Sequence, residues 1–248
     1  MSGDIITAAV LVIGDEILSG RTPDRNVNYI AAHCTRVGIR LQEVRVVGDD
    51  EAAIIDAVNA LRERYTYLFT TGGIGPTHDD ITADAIAKAL SVPIDHDPRA
   101  VELLTAFFGR RDLEATPARL RMARIPQGAE LITNSISVAP GFMIGNVIVL
   151  AGVPDIMQVM LDDVTAKLRT GAKMLTATIQ LFRPEGDVAD LFATHQKKFP
   201  DVAMGSYPTF AEGRVSTQLV LRSTDSALLA RAKNQLNAAL HARGLLGI

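Results

Sequence analysis

The chain has 248 residues, of which 48% are hydrophobic and 21% charged; this supports a packed core and excludes a disordered chain. A net charge of −3 gives no general attraction to nucleic acid or to an anionic membrane. The single cysteine, Cys34, excludes an intrachain disulfide, and a reducing, cytoplasmic location is the expectation.

The opening "MSGDIITAAVLVIGDE" carries no basic segment ahead of its apolar run, so it reads as a strand, Ile5 to Ile13, and not as a signal peptide. Val27, Ile30, Ala31, Cys34 and Val37 recur at helical spacing, with Gly38 as a stop. "IRLQEVRVV", Ile39 to Val47, alternates as a strand. Asp49 or Asp50 can cap the next helix, whose apolar face is Ile54, Ile55, Val58 and Leu61. A third strand, Tyr65 to Thr70, leads through a glycine-rich loop into a helix from Ile81 to Leu90. This βαβαβα order predicts an α/β protein: a three-layer α/β/α arrangement around a mostly parallel sheet.

Asp97-Pro98 and Thr116-Pro117 each combine a cap with proline at the first helical position. Leu131 to Pro154 contains no charged side chain and is long enough to span a bilayer. Pro140, Gly141, Gly145 and Asn146 interrupt it, however, and "GFMIGNVIVLAG" reads as two short strands around a Gly-Asn turn. A helix is expected from Asp155 to Leu168, with Asp155 as its cap, and Arg169 to Lys173 reads as a linker. Beyond it come a strand (Leu175 to Phe182), a helix (Gly186 to Lys198), two strands (Val202 to Ser206 and Val215 to Leu221) and a helix (Asp225 to Ala242). The expected organisation is a domain over residues 1–170 and a small α+β domain, β-α-β-β-α, over 171–248. Leu228, Leu229, Ala232, Leu236 and Leu240 form a stripe on the last helix that suits either a core or a subunit interface.

The loop "TTGGIGPTHDDITADA", Thr70 to Ala85, lies where ligands of open α/β sheets collect, beyond the carboxyl end of a strand. Gly72, Gly73 and Gly75 let the backbone approach an anion and turn its N–H groups toward it, and the helix end adds partial positive charge. The loop is neither a Walker loop nor a G-x-G-x-x-G fingerprint. One of Asp79 and Asp80 would suffice to cap the helix; two, with His78, point to a divalent cation shared with phosphate oxygens. "IGDEILSG", with Asp15 and Glu16, and "AGVPDIM", with Gly152 and Pro154, follow other strands and belong at the same edge.

In this order "GDEILSG", "VVGDD", "TTGGIGPTHDDIT", "NSISVAPGF" and "AGVP" resemble the molybdopterin-binding (MoaB/Mog-type) superfamily over roughly residues 5–168. Within that superfamily these motifs look most like the N-terminal domain of the competence/damage-inducible protein A (CinA) family. "GSYP", Gly205 to Pro208, resembles the molybdopterin-binding-like domain of eukaryotic FAD synthase. The resemblance implies the molybdopterin-binding fold, a homo-oligomer, and a small phosphorylated ligand, either a nucleotide diphosphate or molybdopterin. It implies functional roles for Asp80, Asp49 and Glu16, and the matched motifs add Thr71, Ser137 and Gly141 to Gly72, Gly73, Gly75, Gly152 and Pro154 as cofactor-binding candidates.

The activity so implied is hydrolysis of a nucleotide pyrophosphate such as ADP-ribose or FAD. It would require Mg²⁺, Mn²⁺ or Co²⁺, with Asp80, Asp79 and Glu16 as metal ligands and Asp49 or His78 as base. The alternative is a non-hydrolytic molybdopterin- or nucleotide-binding protein of molybdenum cofactor biosynthesis. Asp79 stands where the adenylyltransferases of the superfamily carry a basic residue, which argues against adenylyl transfer. Full-length competence-type proteins also carry a nicotinamide-nucleotide amidase domain. Nothing after residue 170 resembles its catalytic sequence, so deamidation is not carried over.

Overall fold

The computed structural model describes residues 5–211 and 213–246 and divides into two units, Met1–Gly171 and Ala172–Ile248. In the first, β1 (Ile6–Ile13) is a nearly continuous apolar run because both of its faces are covered. A four-residue helix α1 (Asp15–Leu18) and then α2 (Asn26–Val37) lead to β2 (Ile39–Val47). The helix α3 (Glu51–Arg64) is capped by Asp50, whose carboxylate accepts from Ala53 N at 2.8 Å. Next come β3 (Tyr67–Thr71), α4 (Thr82–Ala89), β4 (Ile94–His96), α5 (Pro98–Gly109) and α6 (Pro117–Leu120). The unit closes with β5 (Arg124–Pro126), β6 (Glu130–Ile132), β7 (Gly141–Ile144), β8 (Val147–Leu150) and α7 (Pro154–Thr165).

The six-stranded sheet runs β2-β1-β3-β8-β7-β6. The β2-β1-β3-β8 part is parallel, and β7 and β6 add antiparallel strands. Strand alternation sends Ala9, Leu11 and Ile13 of β1 into one core with Ile54, Leu61, Ile86 and Leu104. Ala8, Val10 and Val12 enter the other, with Ile30, Cys34, Met157 and Leu161. Sheet and two helical layers make the expected three-layer α/β/α fold. The uncharged stretch near residue 145 is the β7–β8 hairpin, and among the described residues no helix is long and apolar enough to cross a membrane.

Some boundaries differ from the sequence reading. The third strand begins two residues later because Tyr65 closes α3 and donates its hydroxyl to Glu43 at 2.8 Å. Asp155 does not cap α7: Val153 holds that position without a side-chain bond, and Pro154 opens the helix. The small β4–β5 ladder and β6 carry too few residues to show periodicity.

The second unit has the order β9 (Leu175–Leu181), α8 (Ala189–Lys198), β10 (Ala203–Ala211), β11 (Arg214–Ser223), α9 (Ser226–Ala242). Its antiparallel sheet is ordered β10-β11-β9. Leu229, Ala232, Leu236 and Leu240 are buried within this unit against Ile179, Leu219, Leu221 and Phe192, so the α9 stripe is core.

Candidate functional site

Four parallel strands put the connections after β1, β2, β3 and β8 at one edge of the sheet. Gly72 is the crossing point of that edge. Its φ is 102°, its N–H donates to the Leu150 carbonyl at 3.3 Å, and a Cβ there would overlap the Ile13 carbonyl oxygen. A Cβ on Gly152 would in turn come within 3.2 Å of Gly72 Cα. The ends of β1, β3 and β8 therefore meet at backbone contact, which only glycine permits.

The loop closes on itself through Thr82. Its N–H donates to the Gly73 carbonyl at 3.0 Å, and its hydroxyl donates to the Gly72 carbonyl at 3.0 Å. Inside the loop, Asp80 Oδ2 accepts from Thr77 N at 2.7 Å and from Thr77 Oγ1 at 2.5 Å. A Cβ on Gly75 would stand 2.6 Å from that same oxygen, so Gly75 makes room for the Asp80 carboxylate against the turn. Arg121 Nη2 donates to the Asp80 carbonyl at 3.3 Å from outside. Asp80 does not cap α4; Ile81 is the cap residue and makes no side-chain bond. Among the described residues the N–H groups of Gly73, Ile74 and Gly75 have no protein acceptor.

These amides border a cavity of about 520 Å³. Glu16, Asp80, Ser137, Gly152 and Pro154 line it, and Ile74, Met122, Ile156 and Met160 give it an apolar wall. Glu16 reaches it because its carboxylate folds back over Gly14, where a Cβ would overlap it. A broader groove of about 740 Å³ is lined by His78, Ile81 and Pro117 among others; of the cations beside it Lys88 pairs with Glu51 and Arg124 with Asp84, while Arg121 has no carboxylate partner among the described residues.

Of the residues expected at the site, Glu16, Gly72, Gly73, Gly75, Asp80, Ser137, Gly152 and Pro154 come together at this cavity. Among them Gly72 is a space-maker, since its N–H donates to the Leu150 carbonyl. Others do not come to the cavity. Asp49 Oδ2 accepts from Asp15 N at 3.0 Å, and Asp49 N donates to Asp15 Oδ1 at 3.4 Å, so Asp49 ties the first two loops together and does not line the cavity. His78 is fully exposed and 3.9 Å from Asp79, whose side chain is itself 60% exposed. Neither lines the cavity. Gly141 is a packing glycine: a Cβ there would strike the Val149 carbonyl oxygen across the hairpin. Thr71 is buried at the end of β3 and does not line the cavity.

Sequence reasoning overlooked Asn134, Thr22, Met122 and Met160. Asn134 is buried and builds the loop that presents Ser137. Its Oδ1 accepts from Ile136 N at 3.0 Å and Ser137 N at 3.2 Å, and its Nδ2 donates to Ser137 Oγ at 2.6 Å and to the Ala139 carbonyl at 3.0 Å. An asparagine two residues before two successive amides is an Asx-turn signal, visible in "NSIS". Cys34 supplies no nucleophile, since burial pushes its thiol up to about 12.

The donor set bears on a cation. Among the described residues no three His, Cys, Asp or Glu side chains converge. Asp80 Oδ1 is unengaged and Glu16 borders the same cavity, which leaves two carboxylates beside amides suited to phosphate. Mg²⁺ takes one or two carboxylates together with phosphate oxygens and water, so these residues fit such an ion.

The fold and the site define a class: an α/β/α domain with a cavity at the carboxyl ends of parallel strands. Residues 9–170 match the family model described as "Probable molybdopterin binding domain", and the chain belongs to that family. Residues 173–246 match "FAD synthase, middle domain". A CinA-like protein of Desulfosudis oleivorans is 34% identical over 216 residues, covering 83% of this chain and 52% of the relative. One of Citrifermentans bemidjiense is 34% identical over 244 residues, covering 94% and 58%. The chain thus spans little more than half the length of these relatives. The crystal structure of the protein CinA, of unknown function, from Thermoplasma acidophilum is 34% identical with a TM-score of 0.60, covering 65% of this chain and 96% of that one.

Proposed function

We propose that this chain hydrolyses a nucleotide pyrophosphate of the ADP-ribose or FAD class with a divalent metal ion, Mg²⁺, Mn²⁺ or Co²⁺. The observation that carries the reading is the meeting, in one cavity, of the unpartnered Gly73–Gly75 amides with the Asp80 and Glu16 carboxylates. The amides receive the diphosphate oxygens, and the apolar wall of Ile74, Met122 and Met160 receives a planar base or ring. Asp80 and Glu16 would hold the ion, which when bound neutralises phosphate charge and lowers the pKa of water. In the reaction the water oxygen bonds to one phosphorus, the bond from that phosphorus to the bridging oxygen breaks, the bridging oxygen leaves on the other phosphate, and the protons of the water pass to phosphate oxygen or to solvent. ADP-ribose would give AMP and ribose 5-phosphate; FAD would give AMP and FMN.

The Thr77 clamp keeps one Asp80 oxygen fixed and leaves the other for the cation, so the carboxylate is oriented before the ligand arrives. Asp49 and His78 receive no base role, because neither borders the cavity. Incubation of the purified chain with ADP-ribose or FAD and each metal, followed by chromatography, should show metal-dependent AMP. If both substrates survive with every metal, the hydrolytic reading is wrong. Metal-independent retention of molybdopterin or nucleotide in equilibrium dialysis, with no turnover, would favour a carrier.

A further inference from the structure

The 740 Å³ groove shares only Pro76 with the cavity at the glycine turn. Three cations line it, Lys88, Arg121 and Arg124, against two carboxylates, Glu51 and Asp84. Both carboxylates are taken. Lys88 Nζ donates to Glu51 at 2.5 Å, and Arg124 holds Asp84 through Nη2 and, at 3.4 Å, through Nε. Arg121 is left as the uncompensated charge of the groove among the described residues.

The three nitrogens of Arg121 stand in different conditions. Nη2 donates to the Asp80 carbonyl at 3.3 Å, which holds the guanidinium at the groove wall. Nε is buried without a partner, out of reach of any ligand. Nη1 has no protein acceptor among the described residues and keeps accessible surface, so an acceptor in the groove can reach it. A guanidinium already held by one bond loses less rotamer freedom when it takes an anion than a free surface arginine does. His78 and His96 bring ring N–H donors to the same groove, and Pro76, Ile81 and Pro117 bring apolar surface.

We propose that this groove is a second ligand site, for a phosphate group anchored on Arg121 Nη1. A guanidinium with no carboxylate to neutralise it, joined by further N–H donors, matches the charge and the acceptor oxygens of phosphate. The volume accommodates either free phosphate or a phosphate monoester whose organic part covers the apolar surface. The site uses none of the Gly73–Gly75 amides, Asp80 carboxylate or Glu16, so it stands or falls separately from the hydrolytic reading.

Backbone amide NMR of the full chain, titrated without divalent metal with inorganic phosphate, AMP or adenosine, tests this. Phosphate should shift the Lys88, His96 and Arg121 amides with a Kd of about 1 mM. AMP binding more tightly than phosphate at these amides would assign the site to a monoester, and equal affinities would assign it to free phosphate; adenosine should leave them in place. Arg121→Gln, its fold checked by circular dichroism, should weaken phosphate at the groove about tenfold, the scale of one charge-assisted bond. In wild type, groove amides that stay still up to about 10 mM phosphate would overturn the proposal, whatever the glycine-turn amides do. So would adenosine shifting them as AMP does, or an Arg121→Gln variant that keeps wild-type affinity. Shifts confined to the Gly73, Ile74 and Gly75 amides would support the phosphate cradle of the cavity while removing this second site.

Discussion

The Asp80 carboxylate holds the loop through one oxygen and leaves the other without a protein partner at a residue that lines the cavity, and two substitutions separate these tasks. Asp80 Oδ2 accepts from Thr77 N at 2.7 Å and from Thr77 Oγ1 at 2.5 Å. Each bond contributes about 1 kcal/mol net in a half-exposed setting. Asp80→Asn keeps a carbonyl oxygen at that point, so both bonds persist and the stability change stays below about 0.5 kcal/mol. Asp80→Ala removes both, a loss of about 2 kcal/mol, or roughly 6 °C in Tm for a domain of this size. Both variants lose the charge, and both should lose about 10²–10³-fold in kcat, the scale of one removed charge-stabilising group. Metal-dependent AMP release gives the rate, and a thermal melt followed by circular dichroism gives the stability. An Asp80→Asn variant with more than about a tenth of wild-type turnover would show that the negative charge is not required. An Asp80→Ala variant as stable as Asp80→Asn would show that the Thr77 clamp does not hold the loop.

Two more outcomes follow from local geometry. Gly72→Ala places a Cβ on the Ile13 carbonyl oxygen at φ 102°, and strain plus overpacking should cost about 3 kcal/mol in urea denaturation. Gly20→Ala, at φ 72° with open space around it, should cost about 1 kcal/mol, and equal losses at the two sites would refute the strand-end crossing at Gly72. His33 is buried between α2 and α7, where Arg36 Nη2 donates to Nδ1 at 2.8 Å and Nε2 donates to Thr165 Oγ1 at 2.7 Å, the Thr165 hydroxyl itself donating to the Leu161 carbonyl at 2.5 Å. Burial first, and then the Arg36 charge, push its pKa below the ordinary 6.5, against the pull of Asp162. The unfolded chain therefore binds this proton more readily than the folded one. The His33 contribution is whole above pH 6.5 and is lost as pH falls below it toward the lower folded value. Urea midpoints measured from neutral to acid pH should fall less steeply for His33→Gln than for wild type, and parallel slopes would refute the assignment.

Much of this architecture is legible in local sequence. The apolar runs of β1 and β3, the helical spacing of Ile54, Val58 and Leu61, and the caps Asp50, Asp97 and Thr116 each express backbone geometry over a few residues. The Gly-Asn hairpin at residues 145–146 and the glycine-and-acid turn after β3 are local signals of the same kind. What a carboxylate faces is not local. Asp49 and Asp80 follow strands in similar contexts, yet Asp49 bonds the Asp15 amide 34 residues away, while Asp80 curls onto its own loop beside the cavity.

Likewise Gly72 reads as an anion contact until the Leu150 carbonyl, from a distant strand, takes its N–H. Asn26 is tied to the end of β8 only through the Gly152 carbonyl, 126 residues on. Strand and helix are chosen by periodicity along the chain. A site is chosen by which loop ends the sheet order brings side by side, and by the hydrogen bonds those ends exchange, and these exist only once the strands have paired.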